Sequence, residues 1–417
     1  MNKILIIGSV WPEPNSSAAG IRMLQLIQLF LSNDYKITFA STASESDHRY
    51  DIESLGISKI TVQINHPSFD RFVQDLKPNI VIFDRFMTEE QFGWRVAKHI
   101  PHALRILNTE DLHSLRRTRQ ETVKTGRTFT YSTYKKNDIT KREVASIYRC
   151  DLSLLISDAE ISILTDQFKI NNELIYYLPF LLDPITVETK TNWPLYDERK
   201  HFITIGNFRH EPNWDSVQYL KNIIWPLIKK QLPEAELHVF GAYPPPKASQ
   251  LHNPQQGFHI KGWTKNAQGV MQQARICLAP LRFGAGIKGK LAEAMLCGTP
   301  SITTTIGAEG MLGDDCDWSG FVKDKPEEFA SAAVRLYQNQ NIWYQAQQNG
   351  IEIINTRFNK EKFINPFIHY ILQLQDNLEE HRTQNFIGSL LQHHTMKSTE
   401  YMSRWIEAKN KISDPNN

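Results

Sequence analysis

Cysteine is scarce in this 417-residue chain: Cys150, Cys277, Cys297 and Cys316 stand far apart, with no CxxC pair. That spacing excludes a zinc-finger or redox-motif framework and predicts free thiols in a reducing compartment. Long apolar runs are lacking too. Ile4–Ile7 and Leu152–Ile156 fall far below the ~20 residues that cross a bilayer, and Gly8, Pro12 and Pro14 break the opening where a signal peptide would lie. A soluble, cytoplasmic protein is the expectation. Nor is there an excess of one charge: 47 Lys and Arg face 45 Asp and Glu, so net charge selects no nucleic acid or membrane as partner. Low-complexity tracts and repeats are missing, and 41% hydrophobic with 22% charged residues is ordinary globular usage. Disordered and fibrous classes are thereby excluded. At about 150 residues per domain, the length predicts two or three domains.

What is present is alternation. Strand-length apolar runs predict β-strands at Lys3–Ser9, Lys36–Ala40, Ile60–Ile64, Ile80–Asp84, Leu104–Asn108, Leu152–Ser157 and Leu174–Leu178. A second series covers His201–Gly206, Glu236–Gly241, Phe258–Gly262, Arg275–Pro280 and Ser301–Thr304, with helix-length segments between. Continuous rather than alternating hydrophobicity suits strands buried on both faces of a parallel sheet. The restart near residue 201 predicts two α/β units: residues 1–182, a linker at 183–200 without periodicity, and residues 201–360. Residues 361–417 read as C-terminal helices packing back on the body, with a helix over Lys360–Leu374, a charged hinge at Asp376–Arg382 and an amphipathic helix over Ile387–Lys411.

In parallel α/β sheets ligands bind beyond the carboxyl ends of the strands, and four such loops carry chemistry. Gly8–Gly20 is rich in small residues and runs into a helix with Arg22 in its first turn; it lacks GxGxxG but permits close backbone approach to an anion. Asn108-Thr109-Glu110-Asp111-Leu112-His113 places three ionisable groups at a strand end, where His113 reads as a general acid/base or a sugar-hydroxyl partner. Gly206-Asn207-Phe208-Arg209 opens the second unit and directs Asn207 and Arg209 to the cleft. The most informative loop is Pro280-Leu281-Arg282-Phe283-Gly284-Ala285-Gly286-Ile287-Lys288-Gly289-Lys290, followed by a helix bearing Glu293. Its glycines, its three basic residues and the helix N-terminus read as a diphosphate cradle. It is not a GxxxxGK[ST] loop, because Leu291 follows Gly289-Lys290 and supplies no hydroxyl for magnesium. Glu293 is placed to accept the hydroxyls of a ribose. The acids Asp314, Asp315 and Asp317 read as a solvated loop rather than a metal site.

These segments, together with Pro212-Asn213-Trp214, Trp225-Pro226, Leu237–Gly241, Lys261-Gly262-Trp263 and Glu293-Ala294-Met295…Gly298-Thr299-Pro300, resemble the nucleotide-binding domain of group 1 (family 4-like) GT-B glycosyltransferases. The first unit resembles it through Ala19-Gly20 and Glu110–His113. The resemblance implies two Rossmann-like domains facing across a cleft, with a C-terminal helical extension. It also implies transfer of a sugar from a nucleotide-diphosphate sugar to an acceptor hydroxyl, with retention, no cofactor and no essential metal. Carried over residue by residue, Gly20, Gly206, Asn207, Arg209, Arg282, Gly284, Gly286, Ile287, Lys288 and Glu293 would hold the donor. His113, Asp111 and Lys288 would act at the reacting centre. The first glutamate of the family's E-x7-E pattern falls on Ala285, and Asn207 and Asn213-Trp214 stand where many members carry an arginine and a lysine. Rivals of the transferase are a GT-B sugar-nucleotide epimerase and a catalytically silent sugar-nucleotide-binding module. The acceptor class spans carbohydrate, lipid-linked and protein targets, with cell-envelope polysaccharide synthesis among them. Arg116–Arg149 holds ten Lys and Arg against Glu121, Asp138 and Glu143. That stretch reads as a solvated basic helix pair, or else as a surface for an anionic acceptor or the inner face of a membrane.

Overall fold

The computed structural model describes residues 2–313 and 316–413, which leaves Asp314 and Asp315 outside the described residues. Two wholly parallel sheets carry the chain. The first has the order β3-β2-β1-β4-β5-β6-β7, with β1 Lys3–Gly8, β2 Lys36–Ser41, β3 Ser58–Thr61, β4 Ile80–Asp84, β5 Leu104–Asn108, β6 Leu152–Leu155 and β7 Ile175–Tyr177. The second has the order β10-β9-β8-β11-β12-β13, with β8 Lys200–Ile205, β9 Leu237–Phe240, β10 Phe258–Gly262, β11 Ala274–Ala279, β12 Ser301–Thr303 and β13 Gly320–Val322. In both sheets the strand order reverses beside the first strand, at β1/β4 and at β8/β11. Those crevices are where such sheets bind ligands.

The unbroken apolar runs have the expected cause. In β1, Ile4 and Ile6 pack with Leu26, Phe30 and Phe367 on one face, while Leu5 and Ile7 pack with Val81, Phe83 and Leu115 on the other. Both side-chain rows of the strand are therefore core. The second sheet has its own core around Phe202, Trp225, Leu237, Ile276 and Trp343.

The two units are joined by two neighbouring passes of the chain. Leu182 N–H donates to Phe358 O at 2.9 Å, Lys360 N–H donates to Leu182 O at 2.9 Å, and the Asn355 amide brackets Ile185 with bonds of 2.7 and 3.0 Å. Beyond that crossing the chain returns to the first sheet. The helix Ile364–Asp376 sets Phe367 against Phe30 and Tyr176. The helix Phe386–Ser413 lies over the helices Phe86–His99 and Asp138–Arg149. Three details differ from the sequence reading. The stretch 183–200 contains the short helix Val187–Thr191 and a 3-10 turn at Tyr196–Glu198. Asp376–Arg382 is not a hinge, because Leu378–Gln384 is helical and the Arg382 guanidinium is pinned to Asp151 and to the carbonyls of Pro101 and Ala103. The strand β13 was not foreseen, being three residues long beside a glycine. The described cysteines are all free thiols.

Candidate active site

The first-domain wall is built at the ends of β1, β4 and β5. Ser9 Oγ donates to Asp84 at 3.0 Å and accepts from Arg85 Nη1 at 2.9 Å, while Asn108 Nδ2 donates to Glu110 at 2.7 Å. Arg85 and Glu110 both hold left-handed backbone, with φ of 72° and 62°. Two non-glycine residues in that region at adjacent strand ends is the kind of strain that concentrates at functional sites. Burial, with Asp84 alongside, pushes the Glu110 carboxyl well up. Burial would also raise Asp111, but Arg116, His113, His210 and Arg85 overcome it and hold Asp111 down at about 2. His113 opens the helix His113–Thr125. Its ring lies 3.7 Å from both Asp111 and Glu143 and edge-on to Phe86. Its Nδ1 is buried without a hydrogen-bond partner, and its backbone N–H is held by Glu143 at 2.9 Å.

The second-domain wall is the loop after β11 and the helix Gly289–Leu296 that it enters. Two glycines there serve the meeting of the domains. Gly286 has φ +62°, and a Cβ on it would lie 2.8 Å from Asp111 Cβ; one on Gly289 would lie 2.5 Å from Ala18. Any side chain at either place would prise the loop off the first domain. The Gly286 N–H is not left for a phosphate, because it donates to the buried Glu160 carboxylate at 2.8 Å. Ile287 is core, packed among Phe180, Leu291 and Met311. Lys288 is buried, with Nζ on Gly286 O at 2.7 Å, and burial lowers its pKa despite Glu309 nearby. Burial brings Lys290 down to about 8 and pushes Glu293 up to about 7, the latter with no cation to offset it. A half-buried lysine and a half-buried carboxylate standing on one helix start, at the topological switch point, are charges set out for something else to meet.

The remaining sequence-predicted residues divide. Gly20 packs against the Glu13 backbone and Gly206 against Asn213, so both allow close approach within their own loops. Asn207 Oδ1 accepts from Arg209 N–H at 2.9 Å, and the Arg209 guanidinium lies 3.7 Å over the Tyr243 ring, exposed at the cleft rim. Gly284 offers its carbonyl to Arg119 at 2.9 Å. Arg282 is ion-paired with Asp215 and lies over Tyr219, whereas Lys288 and Lys290 have no side-chain ion pair among the described residues. Ala285 packs on the first domain's core, where a longer acid would have to displace apolar neighbours.

Sequence reading missed the groups paired across the domains. Arg119 clamps Glu309 with bonds of 2.6 and 2.7 Å, Gln120 reaches Glu211 at 3.0 Å, and the Tyr243 hydroxyl donates to Glu13 at 2.9 Å. Trp263 Nε1 donates to Asn15 O at 3.0 Å, with His48 stacked on its ring. Arg22, buried, spends one nitrogen on Pro179 O and leaves two unpartnered. Five bases of Arg116–Arg149 are met by acids from elsewhere in the sequence: Glu89, Glu90, Asp111, Glu211 and Glu309. Among the described residues no helix is long and apolar enough to cross a membrane.

Residues 199–339 match the family model of glycosyl transferases group 1. A comparison with curated protein sequences gives no match. Among solved structures, the chain is similar to sucrose-phosphate synthase of Thermosynechococcus elongatus, with 15% identity, a TM-score of 0.64, and 90% of this chain and 99% of that one covered. It is similar to HepE of Anabaena, solved with UDP and glucose, at 13% identity and a TM-score of 0.64 over 89% of this chain and 100% of that one. It is similar also to the pneumococcal O-GlcNAc transferase GtfA, solved with UDP and GlcNAc, at 12% identity and a TM-score of 0.66 over 89% and 99%. The chain thus has the GT-B fold and carries, over residues 199–339, a glycosyltransferase domain of group 1.

Proposed function

We propose that the chain transfers a sugar from a nucleoside-diphosphate sugar to an acceptor hydroxyl, without a divalent metal in the reaction and with retention of configuration. The observation that carries this reading is the pair Lys290 and Glu293, half-buried on the helix start at β8/β11 with neither offset by a neighbouring residue of clearly opposite charge. A diphosphate answers the lysines and the helix N-terminus, and ribose hydroxyls answer the carboxylate. UDP is the first nucleotide to test, since two of the structural relatives were solved with it, and the glucose and GlcNAc bound beside it name the first donor sugars to try; the acceptor we propose lies in polysaccharide or glycoconjugate synthesis.

In the reaction the bond from the anomeric carbon to the β-phosphate oxygen breaks and its electron pair leaves with the diphosphate. The acceptor oxygen forms the new bond, and its proton passes to the departing phosphate oxygen. Charge grows on that oxygen in the transition state, where Lys288 and Lys290 in a water-poor cleft are worth most. His113, with its ring 3.7 Å from Asp111 and from Glu143, is the first-domain group we assign to the transferred sugar.

Calorimetric titration with UDP, GDP and ADP, each with and without EDTA, tests the donor assignment. Selective binding that EDTA leaves unchanged and Glu293→Ala weakens at least tenfold is expected; equal affinity in that variant would overturn it. Mass analysis with donor and candidate acceptors then separates the readings. A new glycoside marks a transferase, an isomeric sugar nucleotide an epimerase, and binding without turnover or slow donor hydrolysis a silent module. His113→Ala should lower kcat by roughly 10²-fold or more with little change in donor affinity.

A further inference from the structure

At the amino ends of the second sheet, away from the cleft, three histidines converge on one carboxylate oxygen. His201 lies on β8, His238 on β9 and His259 on β10, and Glu236 immediately precedes β9. The register pairs His238 with His259 on one side and with Ile203 on the other. Side-chain alternation therefore puts His238, His259 and, two residues before it, Glu236 on one face. His201, with φ +61°, brings its ring to 4.5 Å from that of His238. Glu236 Oε2 stands 2.8 Å from His238 Nε2, 3.6 Å from His259 Nε2 and 3.7 Å from His201 Nδ1. The ligand atoms of His201, Glu236 and His238 all lie within 4.8 Å of one another; His259 stands just outside that set, near Glu236, with its Nε2 buried and without a hydrogen-bond partner.

One carboxylate oxygen cannot answer three imidazoles well, whereas an ion among them can. Nitrogen and oxygen ligands about 2.0–2.1 Å from a tetrahedral ion stand roughly 3.3 Å apart, and the three separations from Glu236 bracket that value. We infer that His201, Glu236 and His238 form the core of a binding site for a divalent transition-metal ion of the Zn2+ class, which His259 completes when the ion binds. Three imidazoles select against magnesium and calcium, which prefer all-oxygen shells. Side-chain exposures of 36% for His201 and 38% for Glu236 leave an entry path. Lys200, Lys261 and Arg275 oppose a cation here, so the full set of nitrogen ligands is needed to hold one. With roughly 3.3 Å of rise per residue, the site stands about 15 Å from the strand ends that line the cleft. Its effect is to tie β8, β9 and β10 together, leaving the donor chemistry untouched.

The test uses the full chain stripped with chelator and titrated with ZnCl2 against a chromogenic competitor, and separately with CoCl2. One tight equivalent per chain and the intense visible bands of tetrahedral cobalt are expected. His238→Ala and Glu236→Gln should each weaken Zn2+ binding at least tenfold, while His369→Ala, on an exposed helix position, should not. Because the alanine could loosen β9, the near-isosteric glutamine variant and melting curves in EDTA distinguish lost ligation from lost structure. Zn2+ should raise the melting temperature of the parent and not of the variants. Absence of a tight equivalent, an octahedral cobalt spectrum, or unchanged affinity in Glu236→Gln would overturn the assignment, whatever the nucleotide titrations show.

Discussion

Glu293 and Lys290 make the free protein less stable than it need be, with opposite signs in pH. Glu293 is raised from its ordinary range to about 7, so the folded state holds a proton that the unfolded state has lost. Stability from this group falls as pH rises from about 4.5 to 7 and stays reduced above. Lys290 is depressed to about 8, so stability rises between about 8 and 10.5 and the full penalty applies below. Between 7 and 8 both penalties act together, and a bound nucleotide relieves both. UDP affinity should therefore follow a bell centred between pH 7 and 8, measurable by titration across pH, with the acidic limb absent in Glu293→Gln. That variant should melt several degrees higher than the parent at pH 8, the Glu293 penalty being on the order of 3 kcal/mol. Gly286→Ala should act through the backbone instead. The left-handed conformation costs an alanine about 1–2 kcal/mol, and its Cβ would press on Asp111. Lower thermal stability and lower turnover together are the expected outcome; an unchanged pair would show that the loop does not bear on the first domain. Lys288, Lys290 and Glu293 were legible in the sequence because one loop and one helix carry them. Arg119, Glu160 and Glu309 were not, since each draws its meaning from a partner more than 100 residues away.

Among elements, the helix Phe386–Ser413 has the most testable role. Arg95, 1% exposed, bonds Asp70 at 2.7 Å and Ser403 at 3.0 Å and pairs with Glu407. Lys98 meets Glu400 at 2.5 Å on the same face. Deleting residues from 386 onward would leave Arg95 with Asp70 alone and uncover the faces of Phe86–His99 and Asp138–Arg149 that this helix packs on. The truncated chain should melt markedly lower while binding UDP as before; a loss of affinity in the folded fragment would instead tie this helix to the site. The long strands and this helix could be read from apolar pattern because each is long enough to show a period. Two pieces escaped: β13 begins on a glycine and lacks the β-branched pair that marks the equally short β12, and Leu378–Gln384 is helical through its tertiary anchors rather than an apolar stripe. Reading charge along the chain also could not show that Arg282 pairs with Asp215, a residue 67 positions away.

The molecule as a whole is held shut on one flank by Arg119 and Glu309, with Arg119 also on the Gly284 carbonyl. Arg119→Ala should let the domains part, seen as a larger radius of gyration in solution scattering and a raised KM for the donor. Unchanged dimensions and kinetics would make this clamp incidental to closure. The double crossing at Leu182 and Phe358–Lys360 has a consequence of another kind. The first domain is discontinuous: its core contains Phe367, Ile371 and Leu374 alongside Leu26 and Phe30, so the second domain is in effect an insertion within it. During synthesis the inserted unit is complete before the ribosome has made the last helices of the unit that began first. The half that starts folding earliest must therefore wait, its apolar face uncovered, until some 180 residues of a different domain have gone by.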